Sequence, residues 1–156
     1  MRISICIAIL ALSSLMSAQS FDSLKDKKGL IKKEGLFNFW YSEQEDKIYL
    51  EVNELDQEFI YVHALTTGLG SNDIGLDRGQ LGGTAIVKFQ RAGNKLLLIQ
   101  PNQDYRATSD NALERRSVEQ AFAKSVRYGF EIIEEKNNSF LIDLTSFLME
   151  DAHGVA

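Results

Sequence analysis

Residues 36–52 read LFNFWYSEQEDKIYLEV, and this stretch indicates the fold class. Two runs with apolar side chains at every second position flank a polar segment, SEQED, at residues 42–46. The alternating positions are Phe37, Phe39 and Tyr41 in the first run and Ile48, Leu50 and Val52 in the second. Strict period two on both sides of a polar turn predicts an antiparallel β-hairpin.

Two further hairpins are predicted farther along the chain. Residues 85–90 alternate before the turn Ala92-Gly93-Asn94, and residues 96–99 form the return strand. Residues 128–132 pair with residues 140–144 across Lys136-Asn137-Asn138, because Asn tolerates a positive φ. Residues 59–65 form a nearly continuous apolar run, which is typical of a strand covered on both faces.

One helix is predicted after the second hairpin. Asn111 can cap its N-terminus, with Glu114 three positions later as in a capping box. An apolar stripe follows, formed by Leu113, Val118, Ala121 and Phe122. A short helical turn is expected at residues 146–149. These elements together predict an α+β domain made mainly of antiparallel β-hairpins with one or two short helices.

The first twenty residues have the layout of a signal peptide. Arg2 supplies a positive start, residues 3–16 are apolar apart from small Ser residues, and small residues follow at 17–20. The apolar run is too short for a permanent membrane span. We therefore expect export to the periplasm, the outer surface or the medium. The alternative is a buried N-terminal helix.

Composition narrows the possible chemistry of the exported chain. Cys6, the only cysteine, lies inside the signal, so cleavage leaves no thiol for disulfides or catalysis. The chain has 22 acidic and 17 basic residues, and this balance argues against nucleic acid as a partner. Residues 21–34 are polar and Lys-rich, and they are expected to form a solvated leader or to contact an anionic surface. Residues 35–156 are expected to form the domain, truncated at its C-terminal end.

A long Gly-rich loop at residues 66–84 is the candidate interface. Loops of this length inside a domain are usually functional or disordered, and the apolar Ile74, Leu76 and Leu81 argue against disorder. Three interpretations stay open: an ordered surface loop held by Asx turns, a calcium site, or a contact with another domain of the same protein. The candidate interface residues are Gly68, Gly70, Asn72, Asp73, Asp77 and Arg78.

No catalytic residue, metal ligand or cofactor-binding residue is assigned from the sequence. A zinc protease helix carries two histidines one turn apart with a glutamate as general base. His63 and His153 are the two histidines of the chain, and neither has a partner at that spacing. His63 is expected to be a packed, hydrogen-bonded strand residue, and His153 to face solvent.

The loop also carries a resemblance to a known family. Residues 68–82 read GLGSNDIGLDRGQLG, which resembles a motif in an uncharacterised domain near the N-terminus of large secreted bacterial zinc-dependent metalloproteases. The segments on both sides of this motif show further similarities, in the same order as in the family. They are residues 33–40, Tyr105-Arg106-Ala107, Ser125-Val126, Gly129-Phe130, Asp143, Phe147-Leu148 and Asp151.

The resemblance implies a non-catalytic N-terminal accessory region of such a protein. Its partner would be a downstream metzincin-like catalytic domain of the same polypeptide, and the zinc would belong to that domain. An alternative is an independent extracytoplasmic module that binds a glycan or peptide on Trp40, Tyr41 or Tyr49. A complete enzyme with an unfamiliar site is the third hypothesis, although the chain is expected to be inactive alone.

Overall fold

The structure is a computed structural model, and it describes residues 21–64 and 81–150. Within these ranges the chain forms three helices and eight strands. The helices are α1 (Asp22–Lys25), α2 (Ala112–Ala121) and α3 (Thr145–Met149). The strands are β1 (Leu30–Lys33), β2 (Phe39–Ser42), β3 (Lys47–Val52), β4 (Phe59–Ala64), β5 (Leu81–Ala92), β6 (Lys95–Gln100), β7 (Ser125–Lys136) and β8 (Ser139–Asp143).

All eight strands belong to one antiparallel sheet. Their order is β1-β2-β3-β8-β7-β6-β5-β4, so β1 and β4 are the two edges. Strands account for far more of the described residues than the three helices do. The predicted antiparallel hairpins with short helices are therefore confirmed in outline, with β structure more dominant than an α+β class implies.

The three predicted hairpins are present at the predicted places. In the first, Phe39 lies opposite Leu50 and Tyr41 opposite Ile48. The hairpin β5–β6 turns at Gly93, whose φ of 62° suits a residue without a side chain. The hairpin β7–β8 turns at Asn137 and Asn138, with φ values of 50° and 65°. Two consecutive residues at positive φ match the backbone twist of a tight hairpin, and Asn accepts this conformation.

The main core lies on one face of the curled sheet. Phe37, next to β2, packs against Phe59 of β4 with ring centroids 5.0 Å apart, and against Phe89 of β5 at 5.7 Å. This contact joins opposite ends of the strand order, so the sheet must curl around the core. Strands β3, β5, β6, β7 and β8 supply most of the remaining buried side chains.

Helix α3 closes this core, as the short turn predicted at residues 146–149 anticipates. Phe147 is buried and packs on Tyr128 and Phe130, at 5.1 and 5.5 Å between ring centroids. The Asp143 carboxylate accepts a hydrogen bond of 2.9 Å from the Thr145 amide at the start of α3, and it pairs with Lys47 at 3.0 Å. Burial opposes ionisation, but these contacts outweigh it and lower the pKa of Asp143.

The expectation that residues 21–34 form a solvated leader is wrong. Phe21 and Leu24 are buried on the other face of the sheet. There they form a second cluster, the outer cluster, whose members are Phe21, Leu24, Trp40, Tyr49 and Leu141. The Lys-rich remainder of the segment is mostly exposed to solvent and includes β1. A few widely spaced apolar side chains are therefore enough to anchor the segment to the sheet.

A carboxylate from β7 fastens α1 to the sheet. Glu134 accepts hydrogen bonds from the backbone amides of Asp22 and Ser23, at 2.9 and 2.8 Å. These are amides that the first turn of a helix leaves without intrahelical partners. The pairing register of β7 with β8 shifts between Ile132 and Glu134. Burial disfavours the charge, yet the hydrogen bonds outweigh it and lower the pKa of Glu134.

Two burial predictions are wrong. Strand β4 was expected to be covered on both faces, but Ile60 and Val62 are exposed, because no described element covers the face of β4 on which they lie. Helix α2 starts as predicted, with the Asn111 side chain accepting from the Leu113 amide at 3.0 Å. Its apolar stripe is not buried, however. Leu113 is 75% exposed, and no residue of α2 is fully buried.

Candidate functional site

The hairpin β4–β5 carries the candidate interface loop. Ala64 and Leu81, which bound the intervening segment, lie opposite each other across the two strands. The candidate residues Gly68, Gly70, Asn72, Asp73, Asp77 and Arg78 all lie outside the described residues. Both ends of the loop are therefore held side by side at the β4 edge of the sheet.

Backbone and side chain fit closely where the loop meets β5. His63 Nε2 accepts a hydrogen bond of 3.3 Å from the Gly83 amide, so the prediction of a hydrogen-bonded strand histidine is confirmed. A Cβ atom on Gly82 would overlap the His63 imidazole. The ladder is also irregular between Val62 and Ala64. Gly82 is thus required for the imidazole to lie against β5 in this position.

The outer face of this hairpin is apolar and exposed. Ile60 is 71% exposed, Val62 43% and Leu81 72%. Ile60 lies opposite Ile86, which is only partly covered. In the described part of the chain β4 pairs with β5 alone, so the backbone along its other side has no strand partner there. An exposed apolar edge strand of this kind is a surface on which other protein segments dock.

The aromatic platform proposed for a glycan or peptide is not available on two of its three residues. Trp40 is 7% exposed and Tyr49 3%, because the N-terminal segment covers them within the outer cluster. The Tyr49 hydroxyl donates to Glu45 at 2.6 Å. Tyr41 is half-buried, and its hydroxyl contacts Asp46 at 3.2 Å. Of the three alternative stacking residues, Trp40 and Tyr49 are therefore covered, and Tyr41 keeps part of its surface open.

A separate cleft opens beside α2. It has a volume of about 320 Å³. Residues 101–107 form its first wall, and α2 with the residues that follow it as far as Lys124 forms the second. Tyr105 from the first wall stacks on Phe122 from the second, with ring centroids 4.0 Å apart and planes 6° from parallel. Tyr105 remains 56% exposed, so a large part of its surface is open to solvent. The stack ties the two walls together and lines the cleft with an aromatic surface.

The cleft is positively charged. Arg106, Arg115 and Lys124 line it, and the lining carboxylate is Glu119. Lys124 donates to Glu119 at 2.9 Å, and this hydrogen bond lowers the pKa of Glu119. Arg115 donates to the carbonyl oxygen of Ser109 at 2.7 Å. Neither Arg106 nor Arg115 forms an ion pair with a carboxylate of residues 21–64 or 81–150.

Sequence reasoning did not single out this cleft as a site. Arg106 entered only as part of a resemblance, and Arg115 was not assigned as a site residue. The two walls are not linked by a motif of fixed spacing. Their proximity depends on the contact of Tyr105 with Phe122. A weak signal existed in the clustering of Arg and Lys around aromatic residues between positions 105 and 124.

Metal and membrane features are described only for residues 21–64 and 81–150. Within those ranges no group of three or more His, Cys, Asp or Glu side chains is placed to hold a metal ion. The same residues include no helix with the length and apolar character that a membrane crossing requires. His153 and residues 1–20 lie outside the described residues, so the predicted signal peptide stays a prediction.

Comparison with known proteins gives one match. The profile of a family described as a domain of unknown function, DUF5117, matches residues 79–156, which is the region from the start of β5 past α3. No curated protein and no solved structure is similar enough to the chain to count as a match. The family region includes both walls of the basic cleft and one strand of the edge hairpin. Because the matched region covers half of the sequence, this chain belongs to the DUF5117 family.

Proposed function

We propose that this chain is a non-catalytic N-terminal accessory region of an exported, zinc-metalloprotease-like protein. In this proposal it docks on, or supports, a peptidase domain encoded downstream in the same polypeptide. The resemblance of residues 68–82 and the export signal predicted at residues 1–20 motivate the protease context. In this proposal the zinc belongs to the downstream domain, as the resemblance implies.

The observation that carries the docking role is the edge hairpin β4–β5. Its outer face exposes Ile60, Val62 and Leu81, and its connecting segment contains the residues that resemble the family motif. A surface of this kind is costly in water unless a partner covers it. A domain tethered to the same chain is the simplest partner, because its high effective concentration requires only a modest interface. The loop residues Gly68, Gly70, Asn72, Asp73, Asp77 and Arg78 would extend the contact.

The first test is the reading frame beyond codon 156. The proposal expects the frame to continue and to encode a helix with two histidines one turn apart and a general-base glutamate. A stop codon directly after Ala156 in the intact gene would remove the protease context. It would leave the fold and the family membership unaffected.

The second test targets the docking surface in the longer gene product. Ile60→Glu with Val62→Glu places two charges on the outer face of β4, and the Asp77→Ala, Arg78→Ala pair tests the loop. Both variants should lower the thermal stability or the peptidase activity of the longer protein. Leu113→Glu is the matched control, because Leu113 is about as exposed as Ile60 but lies on α2. If both variants behave like the control, neither β4 nor the loop is the docking surface.

A further inference from the structure

We propose that the basic cleft beside α2 binds a small ligand that joins an oxyanion, either a carboxylate or a phosphate, to a flat apolar ring. None of the residues lining the cleft belongs to the edge hairpin β4–β5. The ligand site is therefore distinct from the proposed docking surface. Its test does not depend on the protease context either.

The oxyanion preference follows from the two arginines. A guanidinium group offers planar, paired N–H donors that match a carboxylate or phosphate, and such charge-assisted hydrogen bonds are stronger than neutral ones. Arg106 has no hydrogen-bond or ion-pair partner among the described residues. Arg115 uses Nη1 for the Ser109 carbonyl, which fixes the side chain and leaves its other donors for a ligand. The cleft therefore presents one guanidinium that is held in place, at Arg115, and one at Arg106 that pairs with no described carboxylate, while the lining Glu119 pairs with Lys124.

The ring preference follows from Tyr105. Its contact with Phe122 covers one side of its ring, yet the residue stays more than half exposed. An aromatic or other flat ring gains favourable stacking on such a surface. The volume of about 320 Å³ is at the small end of ligand pockets, which admits a single ring with its charged group.

The test is an NMR titration of the full 156-residue chain with three probes of similar size: benzoate, phenyl phosphate and benzyl alcohol. Benzoate or phenyl phosphate should shift amide signals of residues 102–107 and 115–124, and the uncharged alcohol should not. Binding of one anion and not the other would identify which oxyanion source the site accepts. Equal binding of the alcohol, or no shift with either anion, would overturn the proposal.

Two variants and a control assign any binding to the cleft. Arg106→Gln removes a side chain that has no partner in the described structure, so the fold should survive, and the dissociation constant should rise about tenfold. Tyr105→Ala should also weaken binding, through loss of the stacking surface. Lys95→Gln removes one positive charge at the β5–β6 turn and should leave binding unchanged. An Arg106→Gln chain that binds as tightly as the unmodified one would refute the site.

Discussion

Phe21→Ala tests whether the N-terminal segment is part of the fold. Phe21 is 2% exposed, and its ring meets Trp40 edge to face, with centroids 5.9 Å apart. Leu24, Tyr49 and Leu141 complete the outer cluster around this pair. Removing the ring opens the cluster at its centre and weakens the attachment of α1.

The size of the effect can be worked from these contacts. Burying a Phe side chain contributes about 1.5–3 kcal/mol, and an edge-to-face aromatic pair adds about 0.5–1.5 kcal/mol. The expected loss in the free energy of unfolding is therefore about 3 kcal/mol, at the lower end of the range of about 3–5 kcal/mol for buried Phe to Ala changes. With a urea dependence of about 1.5 kcal/mol per molar, the urea midpoint should fall by about 2 M.

The assay is urea unfolding followed by tryptophan fluorescence. Trp40 is the only tryptophan in the chain, so its emission reports directly on the outer cluster. Phe21→Ala should also shift the emission of the folded protein to longer wavelength, because water reaches the indole ring. Leu36→Ala is the control, since Leu36 is 75% exposed, and its effect should stay within about 0.5 kcal/mol. Unchanged emission and an unchanged midpoint for Phe21→Ala would refute the packing of the N-terminal segment.

Three further substitutions test other parts of the fold. Glu134→Gln removes the carboxylate that caps α1. Because the folded pKa of Glu134 is lowered, its contribution to stability is present above the ordinary value of 4.5 and is lost as the pH falls through the folded value. Urea midpoints of the two proteins should differ at neutral pH and converge in strong acid, and a constant gap would contradict the capping role. Asn138→Val places a β-branched residue at φ 65° and should lower the free energy of unfolding by about 1–2 kcal/mol. Asn138→Gly should leave it nearly unchanged. Equal urea midpoints for the two variants would contradict the turn geometry. Phe147→Ala should cost about 3–5 kcal/mol in urea unfolding, and a loss below about 1 kcal/mol would contradict the closure of the core by α3.

Local patterns predicted the hairpins because a hairpin is specified by neighbouring residues. Alternation sets which side chains share a face, and the turn residues set where the chain reverses. Gly93, Asn137 and Asn138 all adopt the positive φ that their residue types favour. The short helix at the end of the core was also predictable from its local sequence.

Burial was harder to predict because it depends on distant strands. In the sequence, Phe21 and Leu24 are surrounded by polar and Lys residues. They are buried only because they pack on side chains of β2, β3 and β8, on the face of the sheet opposite the main core. The apolar run of β4 was typical of a strand covered on both faces, but its place at the sheet edge is a property of the topology. The basic cleft depends in the same way on two segments whose contact no spacing rule describes.

Hydrogen exchange along β4 tests the central claim that this chain is an accessory domain docking through its edge hairpin. Exchange of residues 59–64 should be compared, under the same conditions, between the 156-residue chain and a chain that also carries the proposed downstream domain. Docking should slow the exchange of the β4 amides that point away from β5 by at least about tenfold in the longer protein. The exchange rates of the exposed amides of α2 should stay unchanged. Identical exchange of β4 in the two proteins would contradict the account.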